Sequence, residues 1–242
     1  MNWSPETLSI WVGFDPREAA SFAVTCSSIA WCLRMPIRVR GLDLEALRAN
    51  ELSARPLTRI GGQLWDVISD APQATEHANA RFLLPFIAPR PGWALFLDGD
   101  ILVRDDISVL FEPYDRSKAL YCVKHDHRPP ETVKMDAQAQ QHYTRKNWSS
   151  VMLWNLQHPA HERLTLEMAN RLPGRDLHRF CWLQDDEIGD LPPEWNWLAG
   201  YSPAEMEPKA VHYTSGTPDM PGYENAPFAD EWRSTLRRWA RG

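Results

Sequence analysis

Five consecutive apolar residues, Trp93-Ala94-Leu95-Phe96-Leu97, run straight into Asp98-Gly99-Asp100. So short and uniformly apolar a run reads as a strand buried within a sheet, and it ends on two carboxylates one residue apart. The residues before it say what kind of sheet. Leu8 to Phe14 is a short apolar segment stopped by Asp15-Pro16, a helical pattern follows from about Arg17 to Leu33, and Pro36 to Leu42 alternates as a strand does. Strand, helix, strand in that order predicts a β-α-β unit and hence a parallel sheet in an α/β fold. In open sheets of this kind ligands bind outside the carboxyl ends of the strands, which is where Asp98 and Asp100 fall.

The remaining text predicts further elements around that frame. Ser53 to Pro72 reads as irregular, with Gly61-Gly62 and Pro56 interrupting it, and Thr75 is placed to cap a helix running to about Ile87. Ile101-Leu102-Val103 continues the apolar character of the strand before it. Strands are expected at Ala119 to Val123, Ser150 to Trp154 and Lys209 to Tyr213, and helices at about His161 to Arg171 and Asp230 to Ala240. Lys124 to Asn147 is polar and carries Pro129-Pro130, so it reads as a long surface loop. No repeat or linker divides the chain, and residues 1–242 are expected to form a single domain.

Composition removes several classes of function. Hydrophobic residues make up 43% and charged residues 24%, enough apolar material for a real core. The net charge is -6 and the basic residues are scattered, so no electrostatic footprint for nucleic acid is present. The longest apolar runs fall far short of the roughly 20 residues that cross a bilayer. The opening Met1-Asn2-Trp3-Ser4-Pro5-Glu6 lacks the basic and apolar regions of a secretion signal, which predicts a cytoplasmic protein. Cys26, Cys32, Cys122 and Cys181 form no CxxC pair and are expected to be reduced, mostly buried thiols. Twelve tryptophans are many; indoles stack on sugars, but most are expected to fill the core.

The acidic pair suits a hard cation. Mg²⁺ or Mn²⁺ takes one or two protein carboxylates and completes its shell with phosphate oxygens and water, and Gly99 leaves the backbone open to a phosphate. Asp and Gly are also ordinary turn residues, so the pair alone also fits a solvated turn. The surrounding text decides between them. Ala94-Leu95-Phe96-Leu97-Asp98-Gly99-Asp100-Ile101-Leu102-Val103 resembles the DxD signature of GT-A glycosyltransferases, above all the family 8 group that includes glycogenin and the lipopolysaccharide galactosyltransferases. Ile10 to Asp15 resembles that family's first strand and nucleotide loop, and Ala80 to Pro85 its helix before the DxD strand. Asn147-Trp148-Ser149-Ser150-Val151-Met152-Leu153-Trp154-Asn155 is similar to its N-S-G-V-M-L-x-N segment. Gln184-Asp185-Asp186-Glu187-Ile188 stands where it has D-Q-D-x-L-N, Leu191 to Asn196 resembles L-P-x-x-W-N, and Val211 to Pro218 its late H-x-x-G-x-x-K-P-W element. Two departures stand out: the late lysine is missing from Pro218-Asp219-Met220-Pro221, and Asp186 replaces a glutamine.

The resemblance implies a Rossmann-like nucleotide-sugar-binding fold, a mixed central sheet flanked by helices. It implies a metal-dependent transferase that moves a hexose from a nucleotide sugar, a UDP-sugar, with retention, to a carbohydrate, glycolipid or protein acceptor. Asp98, Asp100 and His212 would hold the ion, and an imidazole among the ligands favours Mn²⁺ over Mg²⁺. Phe14 and Asp15 would hold base and ribose, Arg81 the diphosphate or sugar, and Asn155 and Gln184 sugar hydroxyls, with Gly99 and Gly216 close to the donor. Asp185 and Asp186 are the candidates for the catalytic residue beneath the anomeric carbon.

Each of these has a plainer role open to it. Arg81 fits the surface of an amphipathic helix, Asp15 a helix cap, His212 a strand interior, and Asp185-Asp186 a helix start. His125-Asp126-His127 reads as a solvated loop despite its metal-like composition, and Asp105-Asp106 as a turn or cap. Asp100→Asn and His212→Ala are expected to spare the fold, both residues being surface ligands. Two other classes compete. Leu95 to Asp100 also begins like the loop of a haloacid-dehalogenase-type phosphatase, although that loop opens its domain and here follows nearly a hundred residues. The other rival is a non-catalytic nucleotide-sugar-binding protein of the same fold.

Overall fold

The computed structural model describes residues 8–242 apart from 74, 113–114, 126–144 and 146. Met1 to Glu6, Asp126, His127 and most of the loop from Lys124 lie outside the described residues.

The chain opens on β1 (Leu8–Phe14). Asp15 ends it, accepting the Arg17 N–H and starting a 3₁₀ turn, Pro16–Glu18, that leads into α1 (Ala19–Cys32). β2 (Arg38–Asp43) returns parallel to β1 with Ile10 opposite Val39, so the predicted β-α-β unit is present. Asp43 then caps the short α2 (Leu44–Ala49).

The stretch expected to be irregular is instead a small antiparallel sheet of β3 (Leu57–Ile60), β4 (Gln63–Asp66) and β5 (Ala71–Pro72). Gly61 and Gly62 both take positive φ, 59° and 86°, as a tight two-residue hairpin turn requires. Most of the side chains on β3 and β4 are half-buried or exposed, so the apolar alternation that announces a strand is absent from the sequence. A buried Arg55–Asp66 ion pair at 2.6 Å ties this hairpin down.

The helix expected from Thr75 is a 3₁₀ turn, Ala80–Leu83, followed by one turn of α3 (Leu84–Ile87). Pro85 has no N–H to give the carbonyl of Arg81, which breaks the ladder there. β6 (Trp93–Leu97) is entirely buried. β7 (Ile101–Val103) does not continue it but leaves for another sheet. Asp106 caps the 3₁₀ turn that follows, Ile107–Phe111, as its position after the strand suggested.

β8 (Leu120–Cys122) and β9 (Val151–Asn155) come next, then α4 (Leu166–Arg171) and α5 (Gly174–His178). β10 (Ile188–Asp190), β11 (Trp197–Leu198), β12 (Ala210–His212) and α6 (Ala229–Trp239) complete the described fold. The main sheet has the order β10-β8-β9-β6-β1-β2 and is mixed, since β9 runs antiparallel to both β6 and β8. Its two faces are both covered. Phe96, Met152 and Trp154 pack with Phe82, Phe180 and Trp182 on one side, and Leu95, Leu97 and Leu153 with Ile29 and Ile107 on the other. Burial on both faces is why β6 reads as an unbroken apolar run. Most tryptophans are core, as expected, but of the four cysteines only Cys122 is buried; Cys26 and Cys32 are half-buried and Cys181 is exposed. Among the described residues no helix is long and apolar enough to cross a membrane.

Candidate active site

Asp98, Gly99 and Asp100 form the turn by which the chain passes from the main sheet to the second one, ordered β11-β12-β7. Four contacts fix that turn. The Asp98 N–H donates to the Ser150 carbonyl at 2.9 Å, and the Tyr213 N–H to the Asp100 carbonyl at 3.1 Å. Thr25, fully buried on α1, donates its hydroxyl to the Gly99 carbonyl and accepts the Ile101 N–H. A Cβ on Gly99 would lie 2.4 Å from the Gly13 carbonyl oxygen, so only glycine lets this turn sit against the end of β1.

β12 pairs antiparallel with β7 and sets His212 opposite Ile101, one residue from Asp100. The consequence is a cluster: one ligand atom each from Asp98, Asp100 and His212 lie within 4.8 Å of one another. His212 Nε2 is 3.3 Å from Asp100 and 3.9 Å from Asp98. Its other nitrogen, Nδ1, meets Asn196 Oδ1 at 3.0 Å, while the Asn196 amide donates to the Asn147 carbonyl. The asparagine is thereby oriented to accept from Nδ1, which leaves Nε2 as the nitrogen that faces the two carboxylates. Two carboxylates and one imidazole nitrogen brought this close together form a donor set for Mn²⁺ or Mg²⁺. Burial lifts the Asp98 carboxyl above its ordinary range despite Arg81, and the Asp100 charge adds to the effect. A bound cation would relieve both.

This cluster lies in a cavity of about 520 Å³ formed beyond the carboxyl ends of β1, β2 and β6. Phe14, Asp15, Arg81, Gly99 and Gly216 all line it. Phe14 packs edge-on against Phe22 at 4.8 Å. Burial would raise Asp15, but hydrogen bonds from Arg17 and from Thr75, at 2.6 Å, outweigh it and hold the carboxyl at about 2. Glu18 shares the cavity and goes the other way: burial, then the charges of Asp100 and Asp15, push it up to about 7. Arg81 grips Asp98 with both terminal nitrogens, at 2.7 and 3.2 Å, and gives further bonds to the carbonyls of Ser149 and Ala78. Three of its donor groups are therefore engaged by the protein, and its place is as the clamp of a candidate metal ligand.

Other candidates lie elsewhere. Asn155 pairs with Trp93, at the end of the sheet away from Asp98, and its amide donates to the carbonyls of Arg116 and Lys118. It fastens a loop and does not reach the cavity. Gln184, Asp185 and Asp186 are exposed and are not among the residues lining the cavity. Gln184 caps the 3₁₀ turn Asp185–Glu187, and Asp185 pairs with Arg145. The plainer reading, acids at a helix start, describes these residues. His212 is also deeper than a surface ligand, at 3% exposure.

Several site residues escaped the sequence. His77, Glu18, Asn79 and His178 are single polar residues in unremarkable text, and Thr75 reads there only as a helix cap; the tertiary fold brings them to the cavity. Asn196 stood in the text as the end of the Leu191 to Asn196 segment, but its role beside His212 is set by its burial, where a polar side chain needs a partner.

The fold is that of the GT-A glycosyltransferases. It matches a galactosyltransferase, LgtC, solved with donor and acceptor sugar analogues, with a TM-score of 0.63 and 18% identity over 95% of each chain. It matches the WbbM bifunctional glycosyltransferase with a TM-score of 0.62 and 15% identity, over 95% of this chain but 49% of that one, so the chain spans about half of WbbM. No protein-family model matches the sequence. Protein CDI of Arabidopsis thaliana is 38% identical over 235 residues, 95% of this chain and 86% of that protein, and the chain belongs to the family of Protein CDI.

Proposed function

We propose that this protein is a divalent-cation-dependent glycosyltransferase that moves a hexose from a nucleotide sugar, a UDP-hexose, to a carbohydrate, glycolipid or protein acceptor. The observation that carries the reading is the convergence of Asp98, Asp100 and His212 within 4.8 Å inside the one cavity that also takes in the ends of β1 and β6. In LgtC the same fold is solved with donor and acceptor sugar analogues.

The three ligands would hold Mn²⁺ or Mg²⁺, which when bound neutralises the charge that grows on a departing diphosphate. The protein's own residues prepare for that charge. Asn196 fixes the imidazole tautomer so that His212 offers a lone pair. Arg81 holds Asp98 in one orientation, in a partly water-excluded site where charges interact strongly. Gly99 leaves its backbone uncovered toward the cavity, and Phe14 and Asp15 stand at the end of β1 to take base and ribose. Gly216 lies in the turn after Tyr213, which lets the chain pass close to the phosphates. Retention follows the family 8 resemblance. With Asp185 and Asp186 outside the cavity lining, the arrangement favours attack on the same face as the departing phosphate over a covalent intermediate on either acid.

The fold argues against a haloacid-dehalogenase-type phosphatase, since its solved relatives are glycosyltransferases and Asp98 is clamped by Arg81 rather than presented as a nucleophile. The test is a panel of nucleotide sugars with and without Mn²⁺, read by thermal stabilisation and by release of the nucleoside diphosphate. Cation-dependent stabilisation with release of UDP is the expected result. Stabilisation without any release, across broad acceptor pools, would make the chain a binding protein, and a phosphoenzyme at Asp98 would restore the phosphatase.

A further inference from the structure

One wall of the cavity carries polar groups that neither the cation cluster nor the nucleotide end of the site uses. Asn79 is 6% exposed, and its orientation is fixed by a relay of amides. Gln73 Nε2 donates to the Thr75 carbonyl at 2.6 Å, so Gln73 Oε1 faces Asn79 and accepts its Nδ2 at 3.1 Å. The Asn79 Oδ1 acceptor is left without a hydrogen-bond partner among the described residues, buried and on the cavity wall. It faces Gly174, where a Cβ would lie 3.3 Å from it, so a side chain at that position would press directly on the amide.

The same wall holds Ser149, whose hydroxyl meets His178 Nδ1 at 2.7 Å, and Asn147, whose Nδ2 is a buried donor with no partner among the described residues. The wall is joined to the cation cluster. Arg81 binds Asp98 on one side and the Ser149 carbonyl on the other.

Chemistry narrows what fits. A phosphate only accepts hydrogen bonds, so it would leave Asn79 Oδ1 facing oxygen. An apolar ligand would leave both orphans unsatisfied, which costs more than the bonds are worth when made. A hydroxyl donates and accepts at one atom and answers an isolated acceptor and an isolated donor alike. Resting on the reading of the cavity as a nucleotide-sugar site, the geometry points to Asn79, Asn147 and the Ser149–His178 pair as a subsite that reads the hydroxyls of a pyranose ring, with Gly174 setting the room for it. The ring is that of the donor hexose or of the acceptor sugar, and the two are told apart by experiment.

Gly174→Ala is the cleanest probe, because the backbone there is not among the positive-φ glycines and a methyl group fills the space before Asn79 without changing a charge. Ser149→Ala removes the hydroxyl, and His178→Phe keeps a ring against Phe82, which His178 packs on edge-to-face at 5.0 Å. Affinities for UDP, UDP-glucose and UDP-galactose are measured with Mn²⁺ by calorimetry, alongside UDP release with methyl galactosides and methyl glucosides as acceptor probes. A donor subsite predicts UDP affinity unchanged and UDP-hexose affinity lowered about tenfold in all three variants, with the glucose-to-galactose preference altered. An acceptor subsite predicts both affinities unchanged and the stimulation of UDP release by the glycosides lost. Variants that match wild type in every measurement, or that weaken UDP and UDP-hexose equally, overturn the subsite. A wild-type chain that binds neither UDP nor UDP-hexose with Mn²⁺ overturns the nucleotide-sugar reading itself.

Discussion

The three candidate ligands do not stand in equal positions, and their variants should behave differently. Asp100 is half-buried beside Asp98, so Asp100→Asn removes one of two crowded like charges. In the metal-free protein its melting temperature should stay at or above that of wild type, while the shift produced by Mn²⁺, worth about 2.7 kcal/mol at a hundredfold excess over Kd, disappears. Donor turnover should fall at least about a hundredfold. A Mn²⁺ shift equal to that of wild type would remove Asp100 from the ligand set. His212 is buried, so its truncation also costs stability and makes a poorer test; Asn196 separates the roles better. Asn196→Ala leaves all three ligands in place but frees the imidazole, and metal affinity should drop about ten- to a hundredfold with a loss of stability of roughly 1–3 kcal/mol. Titrating Mn²⁺ against the thermal shift gives both numbers. The ligands themselves were legible because Asp-Gly-Asp after an apolar run, and a histidine before Tyr213 and Gly216, are patterns in the text. Asn155, Asp185 and Asp186 misled because a motif gives residue types in order, whereas strand direction decides which end of the sheet they reach.

Among the elements, the turn between β6 and β7 does the most to build the site, since it sends the chain from one sheet to the other and exposes both carboxylates on the way. It depends on close approach to β1. Gly99→Ala would force a methyl group to 2.4 Å from the Gly13 oxygen, and backbone cannot yield as a side chain can. The variant should lose on the order of 3 kcal/mol, and its response to Mn²⁺ should weaken with it. Gly61→Ala provides the contrast. That glycine sits at φ 59° with no atom within 4 Å of the added methyl group, so the cost should be about 1 kcal/mol from the left-handed backbone alone, with donor turnover unchanged. Denaturant melts and UDP release on the two variants check both statements, and equal losses would mean that the contact with Gly13 is not what fixes the turn. The hairpin around Gly61-Gly62 was hidden from the sequence for a related reason. Its strands keep largely exposed side chains, so they carry no apolar alternation, and only pairing across the turn makes them strands.

For the whole molecule, one buried histidine should shape the dependence of stability on pH. His161 is 5% exposed beneath Trp154, with Nε2 donating to the Ala119 carbonyl. Burial outweighs that bond and lowers its pKa from 6.5 to about 4. The unfolded chain therefore takes up the proton first as the pH falls. The stability that neutral His161 contributes is complete above about pH 6.5 and lost progressively toward pH 4, by up to about 3 kcal/mol, while Glu18, raised to about 7, acts in the opposite sense over the same interval. His161→Gln keeps a donor for Ala119 and removes that loss, so its stability relative to wild type should rise as the pH falls from 7 to 4; an unaltered slope between pH 7 and pH 4 would place the effect elsewhere. At this scale too, what the sequence determined can be set apart from what it did not. The sequence by itself determined the parallel β-α-β start, the buried strand and the acids at its end, because burial on both faces and turn chemistry are local demands written into consecutive residues. The tertiary structure alone decided that β7 crosses to pair with β12, that Asn196 turns His212 toward the acids, and that Arg81 spends its charge on Asp98. Those contacts join residues from 16 to 112 positions apart, and no periodicity or motif spans such distances. Close packing settles them instead, because each buried polar group must find its partner wherever the fold has put it.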